Sequence, residues 1–141
     1  MTHDHLAPFA LPEAAEAFLL ALWEAIQGLD DWHDGTPADT FPAIWACLVQ
    51  LPGNPFLAAN ATVLVPVMAN MVLKWVAANA VEDARDQDQL DKAYVWRAGY
   101  YDVVLQTVLI VHGKDAKDMA VRVMKLYGET REGYLEEFTN A

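Results

Sequence analysis

Serine is absent from all 141 residues, which excludes a serine nucleophile outright. The single cysteine, Cys47, leaves no intrachain disulfide and no cysteine-based zinc site, and it fits a reducing compartment. Glycine-rich phosphate loops, Walker sequences and dinucleotide fingerprints are missing too. The N-terminal stretch has no basic region, and Glu13 and Glu16 interrupt its apolar run, so no secretory leader is expected.

Positive charge is scarce and confined. Neither Lys nor Arg occurs before Lys74, whereas the same part of the chain holds the acids Asp4, Glu13, Glu16, Glu24, Asp30, Asp31, Asp34 and Asp39. Every basic residue lies from Lys74 onward, interspersed with further acids, and the formal net charge is −11. Such a surface repels phosphate backbones and anionic lipid, so neither nucleic acid nor a membrane is an expected partner. A basic protein surface is what an acidic face of this kind can engage.

Charge of either sign is nearly missing from Thr40 to Val81, where Lys74 is the only formal charge. Solvated surface is not built this way. Hydrophobic residues make up 55% of the chain, above the roughly 45–50% usual for globular proteins. A protein of this size has little interior to spare, so the surplus points to surface shared with another copy. The longest uncharged apolar window runs only from Ala61 to Leu73, short of the ~20 residues that a bilayer requires. Burial by surrounding protein is the expectation.

What is present reads as helices. The first opens at Pro12, with Glu13 and Glu16 near the positive end of its dipole, and Gly28 is expected to end it. Ala15, Phe18, Leu19, Leu22, Trp23 and Ile26 form its apolar stripe. Asp39 or Thr40 caps a second helix to about Leu51, with Ile44, Trp45, Leu48 and Val49 inward. Asn54 and Pro55 restart the chain as cap and first-turn residue.

A third helix, from about Ala61 to Asp86, is apolar almost all round, which places it in the middle of a bundle. Pro66 predicts a kink or a late start, because the carbonyl of Thr62 loses its donor. A fourth runs from about Asp88 to His112, with Leu90, Tyr94, Arg97, Tyr101, Val104, Leu105, Val108 and Leu109 inward. The short break before it makes helices three and four antiparallel neighbours. Asp115 caps a fifth, with Met119, Val121, Val123, Met124 and Leu126 mostly inward, and a last short helix carries Tyr134, Leu135 and Phe138. The fold class is all-α: a single-domain helical bundle of five or six helices over residues 1–141, with a central antiparallel αα-hairpin and a disordered segment 1–10.

Chemistry-bearing groups are few. Glu82, Asp83 and Asp86, with Asn79, fall on one face at the end of the third helix, where carboxylates can hold Mg²⁺ for a phosphate substrate. A solvated, charged hairpin tip is the alternative and is favoured, so no metal and no cofactor are expected. His3 and His5 lie in the N-terminal segment, and His33 stands between Asp31 and Asp34 in a loop. Cys47 reads as a buried structural thiol.

Opposite one another across the hairpin, Lys74 and Asp102 are expected to pair, because a lone ammonium among valines is costly. The functional alternative is that Asn70, Lys74, Arg97, Tyr101 and Asp102 line a pocket for a small anion. Trp32, in an acidic loop, Trp96, off the main inner face, and Leu20, on the polar face of the first helix, are the interface candidates. The sequence reads best as a cytoplasmic, non-enzymatic protein-interaction module that self-associates. A metal-dependent phosphate-ester or nucleotide hydrolase and an apolar small-ligand carrier are the alternatives.

Overall fold

The computed structural model describes residues 1–139, and it is helical with no strand among them. The α-helices are α1 (His3–Leu6), α2 (Glu13–Asp34), α3 (Phe41–Trp45), α4 (Pro55–Asp83), α5 (Leu90–Trp96), α6 (Gly99–His112), α7 (Ala120–Lys125) and α8 (Arg131–Thr139). The fold class is thus all-α, cut into more segments than the sequence pattern implies. The chain divides into two compact units, Met1–Leu64 and a second that starts at Val65.

In the first unit, the segment expected to be disordered is ordered. α1 is followed by a 3₁₀ turn, Ala7–Phe9, and Leu6 and Phe9 are buried. His3 Nδ1 lies 2.6 Å from Glu16 Oε1, tying this segment to α2. Pro12, extended at ψ 150°, leads into α2, and Ala15, Phe18, Leu19, Leu22 and Ala25 form its buried stripe. The helix does not stop at Gly28. It continues through Asp34 to Gly35, whose φ of 69° lets its N–H reach back to the carbonyls of Asp31 and Trp32.

Gly28 has another task. A Cβ there would sit 2.1 Å from the Cβ of Ala43, so its absence is what lets α3 press against α2. Asp39, just before the N-cap residue Thr40, accepts the N–H of Phe41 on its Oδ1 at 3.0 Å, an Asx-type turn leading into α3. Beyond Trp45 the chain widens into a π-helical turn, Ala46–Gln50, and the N–H of Leu51 reaches the carbonyl of Ala46. Because the small residues Ala43 and Ala46 take the inner side, Ile44, Trp45, Leu48 and Val49 point outward, the reverse of the expectation. Cys47 is exposed rather than buried.

Asn54 restarts the chain as expected. Its Oδ1 accepts the N–H of Leu57, and its Nδ2 donates to the carbonyl of Ala14 on α2, each at 2.9 Å. The irregular residue in α4 is not at Pro66 but at Asn60 (φ −122°, ψ 18°), whose Nδ2 donates to the carbonyl of Phe56 at 2.9 Å. α4 itself is the largest departure from expectation. Only Leu64, Met71, Ala78 and Asn79 are buried within it.

In the second unit, the single fourth helix is two. Ala98 leaves helical geometry (ψ 19°) between α5 and α6, and Gly99 then meets Met71, with a Cβ position only 3.2 Å from the Met71 Cα. The break turns the inner face of α6. Tyr100, Val103, Val104, Thr107 and Val108 are buried, while Leu105 and Leu109, expected inward, are exposed. Thr107 satisfies its buried hydroxyl on the carbonyl of Val103 at 2.8 Å. On α7 only Val123 is buried, and Val121 and Met124 face out. Tyr134 of α8 is buried with Ala78, Leu90 and Ala93, and Val81, Leu135 and Phe138 pack around them.

Candidate functional site

All five tyrosines of the chain join into one run of ring contacts. Centroid distances are 5.3 Å for Tyr100–Tyr101, 5.6 Å for Tyr101–Tyr127, 5.3 Å for Tyr127–Tyr94 and 5.5 Å for Tyr94–Tyr134. Aromatic pairs at these separations are mutually stabilising beyond the area they bury. Burial raises the phenol pKa of Tyr100, Tyr101, Tyr127 and Tyr134, and for Tyr134 the Glu82 carboxylate adds to the effect. These groups stay neutral at physiological pH.

The hydroxyls of Tyr94, Tyr101, Tyr127 and Tyr134 are already committed. Tyr94 donates to the carbonyl of Glu129 (2.7 Å), Tyr127 to that of Tyr94 (3.0 Å) and Tyr101 to that of Leu126 (3.2 Å). Tyr134 donates to Glu82 Oε2 at 2.6 Å, while Arg97 Nη1 donates to Glu82 Oε1 at 2.8 Å and to Asn79 Oδ1 at 3.0 Å. Both carboxylate oxygens of Glu82 are therefore held by protein donors. Asp83 and Asp86 are exposed, and no group of three potential ligands suited to a metal ion exists among the described residues. Of the three carboxylates weighed as alternative metal ligands, Glu82 is thus tied to Arg97 and Tyr134, while Asp83 and Asp86 stand at the surface.

Lys74 and Asp102 pair as the spacing predicts, Nζ to Oδ2 at 2.7 Å. The pair is not internal, however. The two side chains are 34% and 48% exposed, so the costly isolated ammonium that motivated the expectation never arises. Lys74, Tyr101 and Asp102 border a groove of about 480 Å³, whose other walls are Tyr94, Val95, Ala98, Leu105, Ala120, Val123, Met124 and Tyr127. Of the five residues expected around a pocket, Asn70 stands exposed away from this groove and Arg97 is drawn off to Glu82. Tyr127 and the face of α7 were not anticipated. The only sequence signal for them is that every tyrosine falls after Ala93.

Because the three bordering phenol oxygens are spent on backbone carbonyls, the groove presents ring and methyl surface, with one ion pair at its rim. It offers little to orient a small polar anion. A second, smaller recess of about 160 Å³ lies between Ala77, Ala78, Val81, Gln89, Lys92, Ala93 and Trp96.

Two apolar faces lie open. On α3 and the π turn, Phe41, Ile44, Trp45, Leu48 and Val49 recur at helical spacing, all exposed, with the rings of Phe41 and Trp45 stacked at 5.9 Å. On α4, Val65, Val72, Leu73 and Val76 are exposed along one side, and Val63 is exposed on another. By length and composition α4 is also long and apolar enough to cross a membrane. Of the interface candidates, Trp32 is 75% exposed and Trp96 is exposed, while Leu20 is half-buried.

No protein-family model matches the chain, and no curated protein or solved structure shows significant similarity to it.

Proposed function

We propose that this protein is a non-enzymatic, self-associating interaction module of the cytoplasm, whose open helical faces are the surfaces by which copies meet. The observation that carries this reading is the large apolar side chains on α3 and on α4 that the folded chain leaves in water. Soluble monomers rarely expose contiguous apolar patches larger than a few hundred Å². Covering such faces with a second copy removes that surface from water at roughly 25 cal/mol per Å². The acidic first part of the chain, with no basic residue before Lys74, is the surface offered to a basic protein.

Molar mass by light scattering across a dilution series tests the reading. The wild type should exceed one chain mass, and Leu48→Glu or Leu73→Glu should lower the assembly toward a monomer while helical circular dichroism is retained. A strict monomer at every concentration overturns it. Because α4 has the length and apolarity of a membrane span, flotation with neutral phosphatidylcholine vesicles is the companion measurement. Stable co-flotation with no self-association in solution would replace the interaction reading with a membrane one.

A further inference from the structure

We infer that the face of α3 and its π turn packs on the same face of a second copy, about a two-fold axis. This rests on the self-association reading and names the face at its core. Phe41, Ile44, Trp45, Leu48 and Val49 are each between 44% and 72% exposed. With ~150–250 Å² on each aromatic side chain and somewhat less on each aliphatic one, the five leave roughly 500 Å² in water. Two such faces brought together remove roughly 1,000 Å² from solvent, the size at which specific interfaces begin. The intervening Pro42 and Cys47 are exposed too and add to it. Binding energy concentrates on enclosed aromatic anchors, which α3 supplies in Phe41 and Trp45, whereas the large exposed residues of α4 are Val and Leu.

This face is built to meet itself. The chain carries a formal net charge of −11, so two copies repel wherever acids face acids. From Thr40 to Leu73 the sequence holds no formal charge, so copies meet on α3 without opposing carboxylates. A charged partner finds nothing on it to pair with. Its two ends also differ in kind: the rings of Phe41 and Trp45 stack at 5.9 Å at the start, and Leu48 and Val49 close it. A two-fold axis through the middle sets the two α3 segments antiparallel, so the ring pair of each copy lies on the aliphatic end of the other. Ala43, pressed against Gly28, already fixes which side of α3 points out, so little ordering is left for association to pay.

Sedimentation velocity of the wild type, Leu48→Glu, Ile44→Lys, Leu73→Glu and an equimolar mixture of the first two variants tests this. All three positions are exposed, so the variants should keep the wild-type helical circular dichroism, and either α3 variant that does so suffices. Leu73→Glu, on α4, should still form a dimer. Leu48→Glu and Ile44→Lys should each raise the dimer dissociation constant on the order of a hundredfold or more, because each change enters a two-fold contact twice. In the mixture each charge enters only once and opposite charges face, so part of the lost dimer should return. Two α3 variants that assemble like the wild type while Leu73→Glu is monomeric overturn the inference and leave self-association through α4 standing. A mixture no more dimeric than its components overturns the two-fold pairing. A wild type that is monomeric at every concentration overturns both this inference and the reading beneath it.

Discussion

Gly28 and Ala43 meet across α2 and α3 with no room for a methyl group between them. A Cβ on Gly28 would fall 2.1 Å from that of Ala43, and the alanine is too short to yield. Gly28→Ala should therefore destabilise the protein. Overpacking costs about 1–3 kcal/mol, offset by up to about 1 kcal/mol of helix propensity. A net loss of ~1–2 kcal/mol in urea unfolding is expected. Gly128, where an added Cβ would meet nothing within 4 Å, is the control, and Gly128→Ala should change stability by less than ~0.5 kcal/mol.

Arg97 and Glu82 pair with side chains only 22% and 9% exposed, and Glu82 also accepts from Tyr134. Removing the cation strands a nearly buried carboxylate. Arg97→Leu should cost ~2–3 kcal/mol, somewhat below a fully buried pair because the guanidinium keeps some water. Adding Glu82→Gln should return part of that loss. A double-mutant cycle by denaturation measures both. An Arg97→Leu effect within ~0.5 kcal/mol, the range of an ordinary surface substitution, would refute the structural role.

Lys74 offers the contrast. Its ion pair with Asp102 is short at 2.7 Å but half in water, and such pairs contribute ~0–1 kcal/mol. Lys74→Met should shift unfolding by no more than that, and the small contribution that exists should fade as salt is raised. A loss of several kcal/mol would mean that the ammonium is buried in solution.

Alkaline pH should unfold the protein through its tyrosines. Burial raises the phenols of Tyr100, Tyr101, Tyr127 and Tyr134, so above the ordinary value near 10 the unfolded chain releases protons that the native state retains. Stability is unaffected by these groups at neutral pH and falls as the pH climbs past ~10. The ultraviolet signal of tyrosinate should appear together with the loss of helical circular dichroism. Tyrosinate forming well before the helices melt would show the phenols to be open to solvent.

The helical class was legible from the pattern, and so were the restart at Asn54–Pro55 and the partnership of Lys74 with Asp102. These depend on residues close in sequence or, for Lys74 and Asp102, on spacing counted across one short break. The direction that each apolar face takes was not legible. Periodicity marks Ile44, Trp45, Leu48 and Val49 as one stripe, but inward and outward are decided by the close approach at Gly28, which selects Ala43 and Ala46 for the inside. The break at Ala98 has no proline to announce it, and it rotates α6 so that Tyr100 and Val103 replace Leu105 and Leu109 in the interior. A helix as apolar as α4 reads as a core element whether or not the same chain supplies the cover. The tyrosine run joins rings as distant along the chain as Tyr94 and Tyr134, which no local pattern encodes.

α8 is moored rather than appended. Arg131 Nε binds Asp91 Oδ1, Tyr134 holds Glu82, and Tyr134 and Leu135 roof over Leu90 and Ala93. An engineered stop at Thr130 would consequently not trim a tail. It would take away the phenol that shares Glu82 with Arg97, open the floor under α5 to solvent, and turn a shortened protein into a misfolding one.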